Sequence, residues 1–214
     1  MALKSEFKAI LFDMDGVLVD AREWHFQALN EALIPFGYEI TEADHLNRFN
    51  GLSTRSKLRI LTEEFDFPIS LHNVIEVVKQ ERTLRIASQL CFPNVQHQIL
   101  LSRLAQKKIP LGVVTNSIKK SAVSLLSYAQ LLDFLDVLIT NQDVEKQKPD
   151  PECYILACKQ LNVNPHETIV IEDGEYGLRA AKAAGCHVIQ VDSPNDVSLE
   201  LIWDYFPNLM RGSP

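Results

Sequence analysis

Apolar positions along the chain follow two rhythms. Five short runs rich in Val, Ile and Leu are continuous or nearly so: Lys8–Asp13, Leu111–Thr115, Val137–Thr140, Thr168–Glu172 and His187–Val191. A parallel strand covered on both faces has this pattern, because neither side of its pleat meets water. Between the later four runs the spacing turns helical. The stretch from Asn94 carries Val95, Ile99, Leu100 and Leu104 on one stripe, and Ser117 stands where it would cap the following helix. Asp150-Pro151 supplies an N-cap and a first helical residue, and Gly185 a C-cap, for two further helices. Alternating strands and helices predict an open, Rossmann-like parallel α/β sheet.

The rhythm breaks between the first and second runs. From about Ala21 to about Leu90 three amphipathic stretches follow one another with no strand: "EWHFQALNEALIPFG", "TRSKLRILTEEF" and "SLHNVIEVVKQERTLRIASQ". An ordinary strand-to-helix connection is roughly 2–6 residues. The insert is therefore expected to be an all-helical domain, with Phe92-Pro93 marking the return to the sheet. The expected division is 1–19 and 91–214 for an α/β core and 20–90 for a helical cap. Trp24 and Phe26 are expected to pack within the cap.

Length and charge narrow the function. A chain of 214 residues can form one core with a small attached domain. A net charge of −7 argues against nucleic acid as a partner. It leaves an anionic substrate open, since a local field can oppose the net charge. No run approaches the roughly 20 apolar residues of a membrane span, and the N-terminus lacks a secretory pattern. Cys91, Cys153, Cys158 and Cys186 form no C-x-x-C pair, so reduced, mostly buried thiols in a cytoplasmic enzyme are expected. Nothing points to a membrane or to a protein partner.

The polar residues that follow the strands form a pattern. Asp13, Asp15 and Gly16 follow the first run, and Thr115, Asn116 and Ser117 close the second. Lys148 follows the third, and Glu172 and Asp173 end the fourth. In an open α/β sheet the carboxyl ends of the strands are where ligands bind. Carboxylates converging there make a hard-oxygen site suited to Mg²⁺. A lysine and hydroxyl or amide donors beside them would hold an anion. Together these are the parts of a phosphoryl-transfer site.

Four segments, "DMDGVLVD", "VVTNS", "KPDP" and "IEDGEYGLRAAKAAG", resemble the four motifs of the haloacid dehalogenase superfamily, in family order. The insert after the first motif resembles the helical cap of its β-phosphoglucomutase-like and phosphoglycolate-phosphatase-like branch. The resemblance implies that Asp13 is the nucleophile and a metal ligand. It implies that Asp15 is the general acid and base, with its backbone carbonyl on the metal. Thr115, Asn116 and Lys148 would hold the phosphoryl group, with Gly16 permitting the tight loop beneath it. Asp173 would ligate Mg²⁺, and Glu172 would ligate it or hold its water. Asp15 favours phosphate chemistry, because the haloalkanoate dehalogenases lack an aspartate there. Gly174 and Gln147 depart from residues frequent in the family, and neither removes a catalytic group.

The cap segment "FNGLSTRSKLRIL" resembles the loop with which family members read substrate. β-Phosphoglucomutases typically have a lysine before the glycine and an arginine after the serine. Asn50 and Thr54 occupy those places, with Arg55 one position late. A weakened grip on a second phosphate favours a phosphatase acting on a small phosphorylated metabolite over a sugar-phosphate mutase. Ser53, Thr54, Arg55 and His25 are the expected cap contacts to substrate. Arg22 could face the cleft or solvent, and the other histidines show no ligand spacing. A receiver domain, with its accepting aspartate after the third strand, fits less well.

Overall fold

The computed structural model describes residues 7–49, 51–203, 205 and 206. Asn50, one of the cap-loop positions read above, lies outside the described residues. Strands β1 (Ala9–Phe12), β2 (Leu111–Val114), β3 (Val137–Ile139), β4 (Thr168–Glu172) and β5 (His187–Gln190) form one parallel sheet in the order β3-β2-β1-β4-β5. β1 is central, with Ile10 opposite both Leu111 and Ile169. Alternate residues enter different cores, as the pleat requires. Ile10 and Phe12 join one apolar cluster with Val113 and Ile171, and Leu11 joins the other with Val114 and Val170. β5 is an edge strand, and its His187 and Gln190 are exposed.

The inserted segment contains α1 (Arg22–Leu33), α2 (Glu42–Asp44), a π-helical turn at His45–Phe49, α3 (Thr54–Phe65) and α4 (His72–Leu90). It has a core of its own, in which Leu29, Leu33, Phe49, Leu58, Phe67 and Ile75 are buried together. Asn30 is buried there with its polarity satisfied: it donates to the Ile40 carbonyl at 2.9 Å and accepts from Ile40 N–H at 2.8 Å. α4 belongs to both cores. Ile75 lies in the cap cluster and Ala87 in the sheet cluster. The insert thus returns along a helix packed on the sheet core, and the short stretch 91–94, with Phe92-Pro93, joins it to the next helix as expected. Phe26 packs in the cap, whereas Trp24 packs against the sheet core.

The remaining helices are α5 (Val95–Gln106), α6 (Lys119–Tyr128), α7 (Glu152–Gln160), α8 (Glu175–Ala184) and α9 (Leu199–Trp203). Three helix readings need correction. The buried stripe of α5 is His97, Leu100, Leu101 and Leu104, while Val95 and Ile99 are exposed. His97 sets that orientation by pairing its Nε2 with the Pro194 carbonyl at 2.8 Å. Ser117 does not cap α6, which starts two residues later behind Ile118; its hydroxyl is used in the cleft. Asp150 caps α7 from one position further out, accepting from Glu152 N–H at 3.1 Å.

Candidate active site

A tight turn after β1 sets the geometry. Leu18 and Val19 N–H both donate to the Met14 carbonyl, at 3.0 and 2.9 Å. Gly16 has φ +96°, and a Cβ there would collide with Asp173 Oδ2. Glycine is required both by the left-handed backbone and by the carboxylate packed against it. Met14 and Val17 are buried beneath the turn, and Asp13 and Asp15 face a cavity of about 520 Å³ between sheet and cap.

Lys148 sits at the centre of the cavity floor. Its Nζ donates to Asp13 Oδ1 and Glu172 Oε1, each at 2.6 Å, and to the Val114 carbonyl at 2.8 Å. These contacts use all three ammonium protons. Burial works against its charge, but Asp13 and Glu172 outweigh burial and hold Lys148 protonated. Glu172 is fixed from other sides too. The Tyr154 hydroxyl donates to Oε1 at 2.7 Å, and Asp173 and Gly174 N–H donate to Oε2 at 3.1 and 3.3 Å. In the first turn of α8, a Cβ on Gly177 would overlap the Glu172 carboxylate. Gly177→Ala is therefore expected to displace Glu172 and cost about 1–3 kcal/mol. Thermal melts with and without Mg²⁺ check this: the midpoint should fall by several degrees and its rise on adding Mg²⁺ should shrink.

One carboxylate oxygen from each of Asp13, Glu172 and Asp173 lies within 4.8 Å of the others. Burial, then the Glu172 charge, pushes Asp13 well above the usual carboxylate range despite Lys148. Burial and Glu172 also raise Asp173 to about 6, against the pull of Arg22 and Lys148. Arg22 Nη1 stands 3.6 Å from Asp173 Oδ2, so this side chain faces the cleft. Three hard-oxygen groups with too little positive charge between them fit a small divalent cation.

Asp15 is held apart from this cluster. Its Oδ1 pairs with His25 Nε2 at 2.9 Å. Its Oδ2 accepts from Ser117 Oγ at 2.9 Å and from Thr115 Oγ1 at 3.5 Å. Burial opposes its ionisation, but the His25 ring, Ser117 and Lys79 outweigh that and lower its pKa. Lys79 Nζ meets His25 Nδ1 at 2.8 Å. An ammonium only donates, so Nδ1 is the acceptor and Nε2 carries the proton toward Asp15.

The other expected residues divide in two. Asn116 latches the cap loop to the core: its Nδ2 donates to the Gly51 carbonyl at 2.9 Å, and its Oδ1 accepts from Lys148 N–H at 3.2 Å. Ser53 caps α3 through Ser56 N–H at 3.3 Å. Thr54 lines the cavity. Arg55 also borders the cavity, but its side chain is 76% exposed and its guanidinium is spent on Glu76, at 3.1 and 3.3 Å.

In the sequence Lys79 and Tyr154 carry no assignment, and Ser117 is given a capping role in place of its bond to Asp15. Lys79 had a readable signal. It lies four residues from both Ile75 and Thr83, on the buried face of α4, where an unpaired lysine is out of place.

An acidic centre built around a lysine, at the carboxyl edge of a parallel sheet and roofed by an inserted helical cap, defines an α/β enzyme with a metal-type site. The chain belongs to the haloacid dehalogenase-like hydrolases, whose family profile matches residues 10–191. It is 35% identical over 191 residues, 88% of either chain, to a phosphorylated carbohydrates phosphatase of Thermotoga maritima. It is 32% identical over 197 residues to a validoxylamine A 7'-phosphate phosphatase of Streptomyces hygroscopicus, covering 89% of this chain and 88% of that one. In fold it matches a β-phosphoglucomutase from Clostridium difficile with TM-score 0.82 at 22% identity, covering 94% of this chain and 98% of the other. No helix among the described residues is long and apolar enough to cross a membrane.

Proposed function

We propose that the chain is a Mg²⁺-dependent phosphatase acting on a small phosphorylated metabolite, a sugar phosphate or a similar compound, through an aspartyl-phosphate. The observation that carries this is Asp13 bonded to Lys148 within the acidic cluster, with Asp15 fixed by His25 and Ser117 on the same cavity. Asp13, Asp173 and Glu172 would hold the ion, with the Asp15 backbone carbonyl. When bound, Mg²⁺ supplies positive charge against the phosphoryl oxygens and the attacking carboxylate.

In the first half-reaction an Asp13 oxygen bonds to phosphorus, the bond from phosphorus to the ester oxygen breaks, and Asp15, which must first take up a proton from solvent as substrate binds, gives that proton to the ester oxygen. In the second half Asp15, ionised, takes a proton from water. The water oxygen bonds to phosphorus, and the Asp13–phosphorus bond breaks to free inorganic phosphate. The contacts from His25 and Ser117 favour the ionised form that the second half needs. Lys148 would balance charge on the phosphoryl oxygens, with Thr115 and Asn116 beside it as neutral groups that orient the phosphoryl group.

We read residues 1–19 and 91–214 as the catalytic core and 20–90 as the cap, with the Asn116–Gly51 bond closing one over the other. The four free cysteines suit the reducing cytoplasm. The 35% and 32% identical relatives, both phosphatases, support hydrolysis over phosphoryl transfer between sugar hydroxyls. The test is phosphate release from p-nitrophenyl phosphate and from a panel of phosphorylated metabolites. Turnover should require Mg²⁺, vanish in excess EDTA and return when Mg²⁺ is restored. Full activity in EDTA overturns the metal assignment. Rapid conversion of β-glucose 1-phosphate to glucose 6-phosphate, primed by the 1,6-bisphosphate and with little phosphate released, overturns hydrolysis in favour of a mutase.

A further inference from the structure

The roof of the cavity carries positive charge that the reaction above does not use. Lys57, one turn into α3, is only 6% exposed and lines the cavity. Its backbone N–H bonds to the Ser53 carbonyl, but its ammonium has no hydrogen bond or ion pair among the described residues. Carboxylates near the roof are engaged elsewhere. Glu76 holds Arg55, and Asp15 is taken by His25, Ser117 and Thr115. Burial and the neighbouring Lys79 charge press the Lys57 ammonium down to about 7, with Asp15 pulling the other way.

A second polar atom on the roof is also unmatched. His45 is 3% exposed, lines the same cavity, and has no partner for its Nε2. Its ring lies beside the Arg22 backbone and against the Phe26 ring, so Nε2 is left unmatched at the cavity wall. A buried ring nitrogen without a partner weakens the fold until a ligand or water meets it, and an ammonium on the cavity wall with no counter-ion favours an anion there.

We infer that Lys57 is a specificity-determining residue whose ammonium binds a second anionic group on the substrate, remote from the phosphoryl group that is transferred, with His45 Nε2 pairing with an adjacent hydroxyl. The substrate class is then a hydroxylated phosphate monoester with a carboxylate or a second phosphate at its far end. This inference rests on the phosphatase reading and adds the identity of the substrate's other end. It also corrects an expectation. Of the two basic residues of this cap segment that border the cavity, Lys57 is the buried one without a counter-ion, while Arg55, two positions earlier, turns to Glu76.

The test compares matched pairs on the full chain with Mg²⁺. 6-Phosphogluconate against glucose 6-phosphate isolates a carboxylate, and fructose 1,6-bisphosphate against fructose 6-phosphate isolates a phosphate. In wild type at least one anionic member should exceed its neutral partner by about tenfold or more in kcat/KM, mainly through KM. Lys57→Met should bring that ratio to about one, and Lys57→Arg should keep most of it. A wild-type ratio near one in both pairs, or a ratio that Lys57→Met leaves unchanged, overturns the inference. Thermal shifts of Asp13→Asn with the same four compounds read binding without turnover. A larger shift with an anionic member, lost on adding Lys57→Met, supports the subsite even if no phosphate is released. Equal shifts within both pairs overturn it whatever the catalytic result.

Discussion

Asp13→Asn is expected to release phosphate at less than about one ten-thousandth of the wild-type rate while remaining folded. An amide oxygen can still accept the Lys148 proton that Asp13 Oδ1 receives at 2.6 Å, so the local geometry survives. What disappears is the anionic oxygen that bonds to phosphorus. The substitution also removes one charge from the cluster of Asp13, Glu172 and Asp173. In EDTA the variant should therefore melt at or above the wild-type temperature, because the Glu172 repulsion that raises Asp13 is relieved. Acid-quenched wild type should carry a hydroxylamine-sensitive acyl-phosphate that Asp13→Asn lacks. Near-normal turnover by a well-folded Asp13→Asn protein would sink the nucleophile assignment.

The parts of the molecule that were readable in its sequence share a physical cause. β1, β2 and β4 are buried on both faces, so their apolar runs are unbroken and the polar residue ending each run stands out. That is why Asp13, Thr115 and Glu172 could be assigned to one edge. β5 weakens the pattern because it is paired on one side only, and its two ends are wet. On α5, Leu100 and Leu104 are buried as their spacing predicts, but His97, polar by type and buried by its bond to Pro194, joins them while Val95 and Ile99 stay exposed.

The cap was less legible for a different reason. Its helices announced themselves by periodicity, but which cation faces the cavity depends on how those helices rotate against one another. Arg55 and Lys57 are two residues apart in sequence and lie in opposite environments, one exposed beside Glu76 and one buried in the roof. Ser117 shows the same limit at the core. A serine before a helix reads as a cap, and only the packed structure turns its hydroxyl to Asp15.

The second large effect is expected at Lys148. Lys148→Met should lower activity about 10³-fold and destabilise the protein by about 3–5 kcal/mol at neutral pH, because removing one partner of a buried ion pair leaves the others uncompensated. The side chain is 4% exposed, and the ammonium is the cation that Asp13 and Glu172 share. Its raised pKa means that it stays protonated in the fold across the neutral and mildly alkaline range, so wild type keeps this stabilisation there. In the variant the carboxylates must bear their repulsion alone. Asp13 is already pushed up by burial and by Glu172, and Asp173 to about 6, so lowering the pH lets the cluster take up protons and relieves it. The stability deficit of Lys148→Met should therefore shrink from pH 8 to pH 5 when measured in EDTA. Added Mg²⁺ at pH 8 should also reduce it, because a bound cation replaces part of the missing charge. Chemical denaturation at the two pH values, with and without Mg²⁺, gives all four numbers. A deficit that is independent of both pH and Mg²⁺ would mean that Lys148 acts through packing alone, and that the acidic centre does not depend on its charge.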